Sequence, residues 1–140
     1  MTSTGCRMVI DPSVVIAILF NESTAAAFEA AIEADPNRLM SAASVLETAI
    51  VLGARYGDSG EREFDLFLHK AKVQTVAVTE EQAEVGRFAY RTYGKGRHPA
   101  ALNFGDCFSY ALSKTSGEPL LFKGAHFAQT DVEIVPLPAV

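Results

Sequence analysis

Short apolar runs alternate with amphipathic stretches along this chain, and the alternation predicts strands and helices in turn. Arg7 to Ile10 ends in Met-Val-Ile, apolar without a period of two, as expected of a strand buried on both faces. Pro12 breaks the extended segment, and Ser13 is placed to cap an apolar helix from Val14 to Phe20. A second helix, opened by Glu22 or Ser23 and running to about Ala34, sets Ala25, Phe28, Ala31 and Ile32 on one face. Asp35-Pro36-Asn37 is a turn, Leu39-Met40 a brief strand, and Ser41 begins a helix to about Tyr56. Gly57 to Gly60 stops that helix; Glu61 to Ala71 forms the next, and Val73 to Val78 a strand. Thr79, with Glu80 and Glu81 behind it, caps a helix to about Tyr93. The loop Gly94 to Pro99 leads to a helix that closes near Ser116-Gly117, and Pro119 to Phe122 and Val132 to Val135 are the last two strands.

Strands alternating with helices imply a parallel sheet with both faces covered, whose ligand sites form beyond the carboxyl ends of the strands. No repeat or linker interrupts the pattern, so residues 1–140 read as a single domain. Hydrophobic content of 49% and charged content of 21% agree with a globular chain. No apolar stretch is long enough to span a bilayer, and Cys6 and Cys107 lack metal-ligand spacing, which reads as a reduced, cytoplasmic protein. The net charge of −5 excludes a protein that coats nucleic acid by bulk electrostatics, although not an enzyme that meets it through a local basic patch.

Three acids stand out from this pattern. Asp11 is the sole charged residue between Arg7 and Glu22, Glu47 between Arg38 and Arg55, and Asp106 between Arg97 and Lys114. An isolated buried ion costs several kcal/mol, so each needs neutralising or a partner. Each also has a local reading: Asp11 as a helix N-cap, Glu47 in a Ser44-to-Glu47 capping box within a run that otherwise reads as core, Asp106 as a first-turn acid favoured by the helix dipole, with Gly105 permitting close approach. One convergent site accounts for all three together. Carboxylates without His or Cys suit Mg²⁺ or Mn²⁺ rather than Zn²⁺, and such centres serve phosphoryl transfer. Lys95, Arg97 and His98 form the compact basic cluster, close in sequence to Asp106, and read equally as a contact for an RNA backbone or as a solvated loop.

Val9-Ile10-Asp11-Pro12-Ser13, Ser41 to Glu47, the run Tyr93 to Leu112 containing Asn103-Phe104-Gly105-Asp106, and Gly117 to Gly124 together resemble the PIN-domain ribonucleases, in particular the VapC-type toxins of bacterial toxin–antitoxin pairs. The resemblance covers nearly the whole chain. It implies a three-layer α/β/α sandwich with a central parallel sheet of about five short strands. It also implies Mg²⁺-dependent endonucleolytic cleavage of RNA, inhibition by a cognate VapB-type antitoxin, and a homodimer. By motif, Asp11, Glu47 and Asp106 become the catalytic, metal-binding acids, with Ser13 and Asn103 in support. The helices Glu22 to Ala34 and Glu61 to Ala71 offer apolar grooves to an antitoxin segment.

Two departures from the family pattern bear on the site. Pro12 replaces a hydroxyl residue after the first acid, leaving Ser13. Lys123-Gly124-Ala125-His126-Phe127 lacks an acid common in relatives, so the fourth ligand falls to Asp131, His126 or water. The second departure keeps open a weakly active or non-catalytic binding module of the same fold. An aspartyl-phosphate domain with Asp11 as nucleophile fits less well, because Pro12 and Ser13 stand where its second acid belongs.

Overall fold

A computed structural model describes residues 7–138, so Cys6 lies outside the described residues. Strands β1 (Arg7–Ile10), β2 (Asn37–Ser41), β3 (Val73–Val76) and β4 (Leu120–Leu121) pair in parallel in the order β3-β2-β1-β4. Around them lie α1 (Pro12–Leu19), α2 (Ala25–Glu33), α3 (Ala42–Tyr56), α4 (Asp58–Lys70), α5 (Glu80–Tyr93) and α6 (Phe104–Ser116).

The doubly apolar strands explain the layers. Met8 and Ile10 of β1, Met40 of β2 and Leu121 of β4 point into a core closed by Val14, Phe28, Leu52 and Phe64 of α1 to α4. Val9, Leu39 and Leu120 point the other way, onto Ala89 of α5 and Cys107 and Tyr110 of α6. The expected three-layer α/β/α sandwich is thus present, a PIN-like arrangement with four strands rather than about five. Val132 to Val135 contributes one isolated bridge, Ile134 to Leu120, since β4 is only two residues long and offers little edge to pair with.

Other differences are local. Asn21 turns the chain at a φ of 54°, which delays α2 to Ala25 and leaves Glu22 outside it. Gly57, at a φ of 65°, serves as C-cap of α3 and N-cap of α4, so α4 starts at Asp58 rather than Glu61. Gly60 then lets the two helices touch: a Cβ there would stand 2.3 Å from the Leu52 carbonyl oxygen. The apolar run of α3 is not all core, because Leu46 and Ile50 are 63% and 61% exposed. No helix of the described residues is long and apolar enough to cross a membrane.

β2 and β3 lie to one side of β1 and β4 to the other, which makes the carboxyl end of β1 the point where the sheet changes direction. Asp11 follows that end directly.

Candidate metal centre

Asp11 leaves β1 through its amide, which donates to the Leu121 carbonyl at 3.0 Å, and begins α1 as its N-cap. Of the two caps the sequence offers, Ser13 and Asp11, the helix uses Asp11, because Pro12 presets the first helical turn and brings the Ser13 amide 3.0 Å from Asp11 Oδ2. The other oxygen accepts from Ser109 Oγ at 2.5 Å. Ser13 Oγ accepts the Lys123 amide at 3.0 Å, pinning the segment after β4 beside the site.

Asp106 is the third residue of α6. It closes a capping box with Asn103: the Asp106 amide donates to Asn103 Oδ1 at 2.9 Å and the Asn103 amide to Asp106 Oδ2 at 3.0 Å. His126 Nδ1 lies 3.2 Å from that same Oδ2, while Asp106 Oδ1 takes part in none of these bonds. Glu47 sits on α3 with no capping role, since Ser41 caps that helix through the Ala43 amide and Ser44 is buried within its first turn. Its carboxylate accepts no hydrogen bond from the described residues and rests against Gly105, where a Cβ would stand 2.4 Å from Glu47 Oε1.

One helix therefore gathers all three acids. Asp106 belongs to α6, Glu47 lies on Gly105, and Asp11 is tied to Ser109. Capping and convergence, set against each other in the sequence, are both true of Asp11 and Asp106.

The electrostatics record the meeting. Burial raises the Asp11 carboxyl above its ordinary pKa, the bonds from Ser109 and Ser13 pull it back, and the charge of Asp106 adds to the rise. Glu47 is raised by burial first, then by the charges of Asp11 and Asp106. No basic side chain enters either balance. Cys107, on the next residue of α6, has its thiol pushed up to about 11 by burial and by Asp106.

Carboxylate oxygens in mutual repulsion without a basic partner fit a hard divalent cation. The fit is to an open site: among the described residues no three of His, Cys, Asp and Glu close into a ready-made cage. Mg²⁺ seldom needs one, being held by one or two carboxylates while water and substrate phosphate fill the rest of its shell.

Residues 8–133 match the PIN domain family. The chain is 61% identical over 131 residues to Ribonuclease VapC30 of Mycobacterium tuberculosis (94% of this chain, 100% of the relative). It is 59% identical over 128 residues to Ribonuclease VapC of Mycolicibacterium smegmatis, covering 91% of this chain and 99% of that one. The chain belongs to the PIN-domain family, among its VapC ribonucleases. The PIN fold is matched as well by the crystal structure of Mycobacterium tuberculosis VapC20, a sarcin-ricin loop cleaving toxin, at a TM-score of 0.76 and 14% identity, over 94% of this chain and 99% of that one.

Asp131 does not join the other acids. Burial would raise it, but hydrogen bonds from Tyr110 Oη (2.6 Å) and Lys114 Nζ (3.1 Å) and the Lys114 charge outweigh that and hold its carboxyl below the ordinary value. It fastens the last segment of the chain to α6. Lys95 and Arg97 project from a loop closed by Lys95 and Leu102 amides onto the Leu102 and Tyr93 carbonyls. Arg97 lies 6.0 Å over the Tyr90 ring, and Lys95 lines a cleft of about 450 Å³ between α5 and α6. His98 is spent on the loop itself: its Nδ1 accepts the Ala100 amide at 3.0 Å and its ring stands edge-on to Tyr93. Sequence reasoning missed Ser109, fully buried against Asp11. The available signal was a polar residue three places after Asp106, hence on the same face of an apolar helix.

Proposed function

We propose that this chain is a divalent-metal-dependent endoribonuclease, using Mg²⁺ with Mn²⁺ as substitute, and the toxin of a toxin–antitoxin pair. The observation that carries this reading is the convergence of Asp11, Glu47 and Asp106 on the first turns of α6 with no basic counter-ion. Asp11 and Asp106 would hold the ion, their orientations fixed beforehand by Ser109, Ser13 and Asn103. When bound, the ion neutralises charge on the scissile phosphate and acidifies a water. Glu47 is the acid left without hydrogen bonds, and its raised pKa suits it to orient the attacking water and take its proton at Oε1. In-line attack by that water forms the new P–O bond and breaks P–O3′, leaving a 5′-phosphate and a 3′-oxygen that takes a proton from solvent to become the 3′-hydroxyl. Lys95 and Arg97 meet the RNA backbone beside the site, in a loop that His98 braces.

Two partners go with this function. A VapB-type antitoxin is supported by the VapC relatives and by likeness in fold to the toxin-antitoxin complex from Klebsiella pneumoniae (TM-score 0.68, 17% identity, 89% of this chain and 92% of that one). A second copy of the chain is supported by the exposed apolar side chains Leu46, Ile50 and Phe104 beside the acids. The cytoplasm, where the RNA is, is the proposed place of action.

The deciding experiment compares RNA cleavage by the wild type and by Asp106→Asn, each with Mg²⁺ and with EDTA. Cleavage should fall at least about a hundredfold in the variant and in EDTA, with the fold intact by circular dichroism. Full activity in either would falsify the assignment. A non-catalytic binding module is the second reading, favoured by the engagement of Asp131 elsewhere, which leaves the centre without a fourth carboxylate from the described residues. Calorimetric titration with Mg²⁺ separates the two, since a dead module should bind little.

A further inference from the structure

We propose that His126 is a ligand of the metal centre, through Nδ1, and that it biases the site from Mg²⁺ toward Mn²⁺. The inference rests on the metal-dependent reading above and concerns a residue that reading does not use.

His126 is not a stray loop side chain. The segment that carries it is anchored on both sides. Before it, the Lys123 amide is bound to Ser13 Oγ, and Lys123 Nζ is paired with Glu22. After it, a 3-10 turn, Phe127–Gln129, buries the Phe127 ring to 3% exposure against Phe122. Gly124, at a φ of 104°, makes the bend between the anchors. The result sets Nδ1 of His126 at 3.2 Å from Asp106 Oδ2, on the same carboxylate proposed to hold the ion.

That separation is suggestive in itself. Two ligands on adjacent vertices of an octahedron with bonds of about 2.1 Å lie about 3.0 Å apart. Little movement would seat both atoms on one ion. A neutral imidazole on this half-exposed side chain need only carry its proton on Nε2 to present Nδ1 as a lone-pair donor. The bland alternative is a single hydrogen bond at the protein surface, contributing little to stability and nothing to the choice of ion.

The chemistry of the donor predicts selectivity. Mg²⁺ favours an all-oxygen shell, whereas imidazole nitrogen suits ions further along the transition series, and affinities rise in that direction. Two carboxylates and one imidazole therefore favour Mn²⁺ more than two carboxylates alone.

The test is binding, not activity. Titrations of Mg²⁺ and Mn²⁺ into the wild type, His126→Ala and His126→Asp are followed by calorimetry. Pulsed paramagnetic resonance of bound Mn²⁺ then looks for the coupling of a directly bound nitrogen. Losing the imidazole should weaken Mn²⁺ about tenfold, leave Mg²⁺ within about twofold and abolish the nitrogen signal, whereas His126→Asp should turn the preference toward Mg²⁺. Equal affinities in wild type and His126→Ala overturn the inference while the metal-dependent reading stands. Weaker binding in the variant, without a nitrogen signal in the wild type, makes His126 a positioning residue and also overturns it. A wild type that binds neither ion overturns both readings together. Melting curves on the variants confirm that the fold is kept.

Discussion

Replacing Asp11 with Asn is expected to raise the thermal midpoint of the metal-free protein by roughly 3–10 °C while abolishing RNA cleavage. The side chain is 5% exposed and its carboxyl is raised by burial, then by the nearby charge of Asp106. The sign follows from linkage. A group whose folded pKa lies above its unfolded value adds stability that is fully present below the unfolded pKa and is lost as pH rises through the folded one. As pH rises through the folded pKa the wild type loses it, whereas the amide keeps the uncharged state at every pH. Asn also keeps the local structure. It is as good an N-cap as Asp, its carbonyl can accept the Ser13 amide, and its NH₂ can donate to Ser109 Oγ.

Removing an uncompensated buried charge contributes about 1–3 kcal/mol, which for a domain of this size is the stated shift in midpoint. Melts in EDTA should show the variant and wild type close together below the ordinary carboxylate pKa and separating as pH rises through the raised one. Mg²⁺ should then stabilise the wild type, by about 2.7 kcal/mol at a hundred times its Kd, and the variant far less. A variant that is less stable than wild type, or a gap that ignores pH, would show that Asp11 carries no uncompensated buried charge in the metal-free fold.

How far this site was legible in the chain depends on what each residue signals locally. Asp11 and Asp106 are conspicuous because single charges in apolar runs have no ordinary explanation, and β1 is recognisable because Met-Val-Ile must be buried on both faces. The last strand was over-read. Val132 to Val135 has strand composition, but strand formation needs a partner edge, and the two-residue β4 supplies a single bridge. Asp131 shows the complementary limit: an acid near a motif looks available until Tyr110 and Lys114, one turn apart on α6, are seen to hold it. Likewise Leu46 and Ile50 are apolar by composition and exposed in the fold, because α3 turns only one stripe to the sheet. What the sequence cannot supply is which partner a side chain meets across the fold, and Ser109 on Asp11 is the clearest instance.

Gly105→Ala should lower cleavage by about 10–100-fold while costing the fold almost nothing. Gly105 lies in the first turn of α6 without a left-handed backbone, so Ala is conformationally acceptable there and favours the helix by up to about 1 kcal/mol. The added methyl cannot coexist with Glu47 as it stands, since its carbon would lie 2.4 Å from Oε1 and 3.1 Å from Cδ. The obstacle is the free end of a flexible side chain rather than backbone. Glu47 can therefore swing into the adjoining cleft of about 560 Å³, lined by Ala43, Leu46, Ile50 and Phe108. Folding is spared, but the third carboxylate leaves Asp11 and Asp106. A double-mutant cycle with Glu47→Ala decides the cause. If the glycine serves only to seat Glu47, then Gly105→Ala should have no further effect on cleavage or Mg²⁺ affinity once Glu47 is gone. Additive losses would mean that α6 itself is disturbed, and full activity in the single variant would mean that the position of Glu47 does not matter to the chemistry.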